Sequence, residues 1–235
     1  MTFQAQAIPI VQPEDVRLFT IDEYHRIAEL GIFGNEGIEL LDGIVYNKYR
    51  GIIRQFTIDE YHQIADAGLF DNQRVELLNG IVRLMAAMNI PHFGMTTHLN
   101  TELSHHLYKK FTCLSQGPVK IVDINEPEPD IMVAKYRKDS YMGKSVEPKD
   151  VYLLIEVADS TLRTDRTEKM LTYAAAGIIE YWIINLKDYQ IEVFKQPEKS
   201  DYRFRDIVRD GELTCERIGF TVDVEELFSH LEKRL

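Results

Sequence analysis

A tandem repeat is the feature that most constrains the fold of this chain. Residues 19–46 (copy 1) read FTIDEYHRIAELGIFGNEGIELLDGIVY, and residues 56–83 (copy 2) read FTIDEYHQIADAGLFDNQRVELLNGIVR. The offset is 37 residues, and 18 of the 28 aligned positions are identical. Such a match indicates the duplication of one supersecondary unit. Two copies are too few for a solenoid, which usually needs about three repeats or more.

Both copies carry the same local signals in the same order. Each begins with a Thr/Glu capping box, which predicts the start of a helix, and continues to a glycine that predicts its end. An Asp-Gly or Asn-Gly pair then predicts a tight β-hairpin, because both turn positions require positive φ. These signals lie at Thr20/Glu23, Gly31 and Asp42-Gly43 in copy 1, and at Thr57/Glu60, Gly68 and Asn79-Gly80 in copy 2.

Only copy 2 runs directly into the rest of the chain, which suggests a domain division. We predict an N-terminal extension, residues 1–51, that contains copy 1, and a core domain, residues 52–235, that contains copy 2. Copy 1 either packs beside copy 2 or exchanges with a partner chain to form a homodimer. The sequence leaves both arrangements open.

Beyond the repeat, helical and strand patterns are interspersed. This predicts an α/β (α+β) fold, in which a mixed β-sheet is flanked by helices. The predicted elements are a helix over 91–111, strands over 119–124 and 130–134, a polar loop over 135–150, a buried central strand over 151–157, a helix over 164–176, a hairpin of 180–185 and 190–195, a strand over 202–208 and a helix over 224–235.

Composition and charge argue against a membrane-spanning protein, a secreted protein and a broad nucleic-acid binder. No stretch approaches the roughly 18 apolar residues of a membrane span, and the N-terminus lacks a secretory signal pattern. With two cysteines in no metal or redox pattern, we expect a cytoplasmic protein with reduced thiols. The net charge of −11 argues against a broad non-specific grip on nucleic acid, although a local basic groove remains compatible with it.

Two acidic residues stand where apolar strands are expected. Glu156 interrupts the apolar run 151–157, and Asp130 opens the apolar run 131–134. A buried, unpaired carboxylate costs several kcal/mol, so we expect both acids to bind a cation or a charged partner. Two carboxylates on neighbouring strands suit Mg²⁺ or Mn²⁺, and Lys169, on the following helix, is placed to assist them.

Several of these segments together resemble the Uma-type restriction endonucleases, a bacterial branch of the PD-(D/E)XK nuclease superfamily. The resemblance covers about residues 56–195. It rests on Glu156-Val-Ala-Asp-Ser-Thr161, Asp165-Arg, Lys169, Tyr173-Ala-Ala-Ala-Gly177 and Glu180-Tyr-Trp-Ile-Ile184, with Pro129-Asp130 similar to the PD element and Val75-Glu-Leu-Leu-Asn-Gly-Ile-Val82 similar to an upstream Glu–hairpin element. It implies a restriction-endonuclease-like fold and Mg²⁺-dependent cleavage of phosphodiester bonds in DNA.

The resemblance also implies roles for individual residues. Asp130 and Glu156 would bind the metal. Glu76 would join the catalytic set by completing the metal shell through water, or else would only stabilise its hairpin. His92 would contact substrate, or be a helix-start histidine satisfied by its neighbours. In the superfamily pattern the lysine follows the second acid by two positions, where this chain has Ala158, so the lysine role passes to Lys169.

Two classes of function follow. The first is a metal-dependent DNA endonuclease, favoured by the presence of Asp130, Glu156 and Lys169. The second is a non-catalytic module that binds nucleic acid or protein on a nuclease-like fold, favoured by the acidic charge and by Ala158. In either class, the duplicated N-terminal unit could serve as an assembly device.

Overall fold

The computed structural model describes residues 15–229 and 231 of the chain. Two compact units divide these residues. The first comprises the described residues up to Met85 together with Asp123–Asn125, and the second comprises Ala86–Val122 and the described residues from Glu126 onward. Both repeat copies belong to the first unit. The division of the chain into an extension, 1–51, and a nuclease domain, 52–235, stays a prediction.

The first unit contains one helix and one β-hairpin from each copy. The prediction that both copies fold alike is therefore confirmed. In chain order its elements are α1 (Ile21–Glu29), β1 (Ile38–Leu41), β2 (Ile44–Asn47), β3 (Ile52–Ile53), α2 (Ile58–Asp66), β4 (Val75–Leu78) and β5 (Ile81–Leu84).

Capping boxes start both helices as predicted. The Thr20 hydroxyl accepts the Glu23 amide at 3.2 Å, and the Glu23 carboxylate accepts the Thr20 amide at 2.7 Å. The equivalent bonds between Thr57 and Glu60 measure 3.2 and 2.8 Å. These reciprocal bonds satisfy backbone donors that a helix start otherwise leaves without partners.

The hairpin turns also have the predicted backbone conformation. The φ angles are +48° and +79° at Asp42 and Gly43, and +54° and +72° at Asn79 and Gly80. Gly80 is required for a second reason, since a Cβ atom there would lie 2.5 Å from the Cβ atom of Gln55.

The second unit is built on a six-stranded sheet. The strand order is β11-β10-β9-β8-β7-β6, with β8 and β9 parallel and the remaining neighbours antiparallel. The elements are α3 (Ile90–His106), β6 (Phe111–Ser115), β7 (Ile131–Lys135), β8 (Val151–Ala158), α4 (Leu162–Thr164), α5 (Met170–Ala175), β9 (Glu180–Asn185), β10 (Gln190–Glu198), β11 (Asp201–Val208), β12 (Glu212–Cys215), β13 (Phe220–Asp223) and α6 (Val224–Ser229).

Helices cover both faces of this sheet, as predicted. Leu153, Ile155 and Val157 of β8 point into the core on one face, which also contains residues of α3 and α6. Leu154 and Ala158 point to the other face, which contains residues of α5. The alternation explains why β8 reads as a continuous apolar run, since a strand buried on both faces has no polar side.

Two sequence predictions in this unit are wrong in part. The helix predicted over 91–111 ends at His106, because Lys109 has a φ of +59° and Phe111 begins an edge strand, β6. The segment 119–124 forms no strand, since Val119 makes only an isolated bridge and Val122 has a φ of +40°. The strands β12 and β13 were not predicted from the sequence.

The remaining predictions need smaller adjustments. The helix predicted over 164–176 begins at Leu162 and includes a π-helical turn, Asp165–Lys169, between α4 and α5. Of the C-terminal helix predicted over 224–235, α6 accounts for Val224–Ser229, and residues 230 and 232–235 lie outside the described residues. In the described part of the chain, no helix is long and apolar enough to cross a membrane.

Both cysteines are free thiols in this fold. Burial raises the pKa of the Cys215 thiol to about 12, with the nearby Glu180 carboxylate adding to the effect. Cys215 is therefore a protonated core residue.

Candidate active site

The two predicted acids meet at the junction of β7 and β8. In the antiparallel register Ile131 faces Ile155, so Asp130, directly before β7, lies opposite Glu156. Met132 and Leu154 belong to the core face covered by α5, and strand alternation puts Asp130 and Glu156 on that same face. The Asp130 amide approaches Glu156 Oε2 at 3.4 Å.

Lys169 and Tyr173 contact the same carboxylate oxygen. Lys169 Nζ donates to Glu156 Oε1 at 3.1 Å, and the Tyr173 hydroxyl donates to that oxygen at 2.8 Å. The side chains of Lys169 and Glu156 are only 8% and 5% exposed, so water screens this ion pair little. Lys169 thus reaches the predicted partner. Tyr173, which sequence reasoning placed in a motif without a role, joins the cluster.

A π-helical turn positions the side chains of Lys169 and Tyr173 against Glu156. Lys169 is the last residue of the turn, and Tyr173 follows one helical turn later in α5. Such turns are rare and recur at functional sites. Asp165, the first residue of the turn, is held by the Thr161 hydroxyl, which donates to its carboxylate at 2.7 Å, and by the Tyr181 hydroxyl, which donates to its carbonyl at 3.1 Å.

An ion pair with the sheet also holds the π-helical turn. Arg166 Nε donates to Glu192 Oε2 of β10 at 2.8 Å, and Asn185 Nδ2 donates to Glu192 Oε1 at 2.9 Å. Burial opposes ionisation of Glu192, but the hydrogen bonds from Arg166 and Asn185 hold its pKa below its usual value. Glu192 therefore stays anionic and fixes the turn against the sheet.

His92 lies beside Asp130. Its Nε2 atom is 3.1 Å from Asp130 Oδ2, an oxygen that also accepts the Val157 amide at 2.8 Å. Asn89 caps α3 by accepting the His92 amide at 3.0 Å, and the Asn89 amide group donates to Asp159 at 2.6 Å. In the described part of the chain, His92 Nδ1 is buried without a hydrogen-bond partner. The helix start therefore positions the imidazole against an acid.

Glu76 belongs to the first unit, whereas Asp130, Glu156, Lys169 and His92 belong to the second. Glu76 is buried on β4, opposite Arg83 of β5. Its counterpart in copy 1, Glu39, faces Tyr46 instead. The catalytic role of Glu76 stays a prediction.

The donor atoms of the site suit a hard divalent cation. Asp130 and Glu156 offer carboxylate oxygens on one face of the sheet. Among the described residues, no group of three or more His, Cys, Asp or Glu side chains is arranged to hold a metal. This set fits Mg²⁺, which is commonly held by one or two carboxylates and completes its shell with water and substrate phosphate.

Comparisons with known proteins bear on the family and the fold of this chain. The model of the family Uma2, described as "Putative restriction endonuclease", matches residues 58–225, which is most of the chain. A crystal structure of a putative nuclease belonging to DUF820, from Anabaena variabilis ATCC 29413, superposes with a TM-score of 0.60 at 14% sequence identity. The match covers 74% of this chain and 98% of that chain. At this identity the likeness shows the fold, and it confirms the predicted nuclease-like architecture. No curated protein matches the chain.

Proposed function

We propose that this chain, which belongs to the Uma2 family, is a metal-dependent endonuclease that hydrolyses phosphodiester bonds in DNA. The cluster of Asp130, Glu156 and Lys169 at the junction of β7 and β8 is the observation that carries the proposal. Two acids and a lysine on the buried face of an apolar sheet are costly to keep there, which favours a role in binding and chemistry.

Each residue has a part that follows from its contacts. Asp130 and Glu156 would hold the cation, and a bound Mg²⁺ supplies Lewis-acid polarisation of the phosphate and a more acidic water. Lys169 would orient the attacking water and stabilise negative charge as it develops on the phosphoryl oxygens. Tyr173 would fix the orientation of Glu156 through its hydrogen bond to Oε1, and His92, which contacts Asp130 through Nε2, would donate a proton or a hydrogen bond to a phosphate.

Alanine substitutions test these parts. We expect purified protein to cleave DNA slowly with Mg²⁺ or Mn²⁺, and chelation to stop the reaction. Asp130→Ala and Glu156→Ala should each abolish cleavage and weaken Mg²⁺ binding in calorimetry. Lys169→Ala should reduce cleavage by about 100-fold or more, the loss typical of a removed charge-stabilising donor, while metal binding is mostly kept.

The matched control is Glu198→Ala, which removes an exposed acid from β10 of the same sheet. It should cut and bind metal like the wild type. Alanine variants of the site that cut as fast as wild type would show that the activity comes from a contaminant. The assays belong at low salt and high protein concentration, because an acidic chain binds DNA weakly.

The alternative is a non-catalytic module that binds nucleic acid or protein. It is favoured by Ala158, which replaces the expected lysine, and by the direct ion pair in which Lys169 already engages Glu156. A wild type that neither binds Mg²⁺ nor cuts single-stranded, double-stranded or supercoiled DNA would establish this alternative.

A further inference from the structure

The repeat extends to an arginine two residues before each copy, and both arginines reach across to the other copy. Arg17 donates from Nε to Gln73 of copy 2 at 2.9 Å. Its counterpart Arg54 donates from Nη2 to Glu36 of copy 1 at 3.0 Å. Gln73 and Glu36 are themselves equivalent positions, since they are 37 residues apart. The two contacts are therefore equivalent: one runs from the segment before copy 1 to copy 2, and the other from the segment before copy 2 to copy 1.

A second pair of contacts follows the same rule. Arg17 Nη2 donates to the carbonyl of Leu69 at 2.8 Å, and Arg54 Nη2 donates to the carbonyl of Ile32 at 3.2 Å. Leu69 and Ile32 are again separated by the repeat offset. Each arginine thus satisfies a backbone oxygen of the copy to which it does not belong.

Main-chain hydrogen bonds between the copies follow the same reciprocal pattern. The Arg17 amide donates to the Val82 carbonyl in β5 at 2.9 Å, and the Arg54 amide donates to the Val45 carbonyl in β2 at 2.8 Å. The segment before each helix therefore pairs with the hairpin of the other copy, as strand β3 beside β2 in one case and as a single bridge from Val16 to Arg83 in the other. Strand addition of this kind provides main-chain affinity between two separate units.

The aromatic contacts place an approximate two-fold axis between the copies. The rings of the equivalent residues Phe19 and Phe56 contact each other, with centroids 5.9 Å apart and ring planes inclined by 47°. Each ring also lies under its own arginine, with the Arg17 guanidinium 4.6 Å from one centroid and the Arg54 guanidinium 4.9 Å from the other. A residue that meets its own counterpart marks the centre of an isologous interface.

Copy 2 with its preceding segment holds both halves of this interface. It supplies the donor Arg54 and the ring of Phe56, and it also supplies the acceptors, Leu69, Gln73 and the Val82 carbonyl. A surface that carries both halves is complementary to another copy of itself. We propose that the face between copy 1 and copy 2 is a homodimerisation surface. Within one chain the two copies cover this surface by binding each other. The partner that the surface also fits is the same unit of a second copy of this chain.

The turn between the copies offers a direct test. Residues 48–51 form an exposed turn that joins β2 to β3, and these strands pair with Asn47 opposite Ile52. Deleting residues 48–51 from the full chain joins the two paired residues, so β2 and β3 can no longer pair within one chain. We expect two chains to exchange their copies. Light scattering should then give twice the wild-type mass, with an unchanged far-UV circular dichroism spectrum.

The matched control lengthens the same turn by four Gly/Ser residues and should keep the wild-type mass. Substituting both Arg17 and Arg54 with alanine in the shortened chain should weaken the dimer by at least tenfold in dissociation constant. A shortened chain that folds with the wild-type mass overturns the proposal.

A second measurement decides the question if the shortened chain does not fold. Denatured wild-type chain is refolded at low and at high protein concentration and then analysed by size. High concentration should yield an exchanged species of doubled mass that returns slowly to the wild-type species on dilution. Refolding that gives the same single species at every concentration contradicts the proposal.

Discussion

At the scale of single residues, the decisive feature is one carboxylate oxygen with two donors. Glu156 Oε1 accepts both Lys169 Nζ and the Tyr173 hydroxyl. Charge-assisted hydrogen bonds of this kind are stronger than neutral ones, and they compensate the loss of hydration that burial imposes on the ions. The same contacts that would position a catalytic group therefore also keep the fold intact.

A double-mutant cycle measures this coupling. Lys169→Met should lower the free energy of unfolding by about 3–5 kcal/mol, because it leaves the Glu156 carboxylate buried without its cation. The double variant Lys169→Met with Glu156→Gln should recover part of that loss, since neither of the two positions then carries a buried charge. Urea unfolding at pH 7 provides the measurement. Equal stability of wild type and Lys169→Met would show that the pair contributes nothing to the fold.

At the scale of elements, each capping-box glutamate has two roles: it caps the start of its helix and forms an ion pair with an arginine. Glu23 accepts the Thr20 amide of its own cap and pairs with Arg17. Glu60 does the same with Thr57 and Arg54. Helix starts and the cross-copy arginines are therefore coupled, because one carboxylate orients each arginine for its contacts with the other copy.

This coupling predicts a loss of stability in acid. The hydrogen bond from Arg17 lowers the pKa of Glu23 from 4.5 to about 2, against an opposing effect of burial. Since the folded-state pKa lies below the unfolded one, the contribution is complete above pH 4.5 and is lost as the pH falls from 4.5 towards 2. Thermal unfolding followed between pH 6 and pH 2 should show this loss.

Glu23→Gln is the control for the acid prediction. It should be less stable than wild type at pH 6, and its stability should fall less steeply below pH 4.5, since the titrating group is gone. Parallel pH profiles of the two proteins would contradict the role given to the Arg17 pair.

At the scale of the whole molecule, charge sets the conditions for any cation or DNA binding. The net charge of −11 means that added salt of any kind screens repulsion between acidic groups. A specific cation site at Asp130 and Glu156 must therefore be separated from this general effect. Binding to the native state alone adds stability that grows with ligand concentration.

Thermal unfolding in MgCl₂ and in NaCl separates specific cation binding from the general effect of salt. At a concentration about 100 times its dissociation constant, Mg²⁺ should stabilise the wild type by about 2.7 kcal/mol beyond the effect of NaCl at equal ionic strength. Asp130→Ala should show only the ionic-strength effect. A wild type that responds equally to MgCl₂ and to NaCl would remove the support for a cation site.

The sequence by itself determined the features that depend on neighbours along the chain. Capping boxes at Thr20 and Thr57 and the two hairpin turns were predictable because each requires only a few adjacent residues. The buried strand β8, with Glu156 inside it, was predictable from its continuous apolar run.

Tertiary structure alone decided the features that depend on residues far apart in the chain. The short edge strand β6 exists because β7 pairs with it, and the segment 119–124 stays irregular despite its apolar residues. Tyr173 joins the site only because the π-helical turn packs across the sheet onto Glu156. The pairing of the two copies through Arg17 and Arg54 could not be read from the repeat, because each arginine finds its acceptors in the other copy.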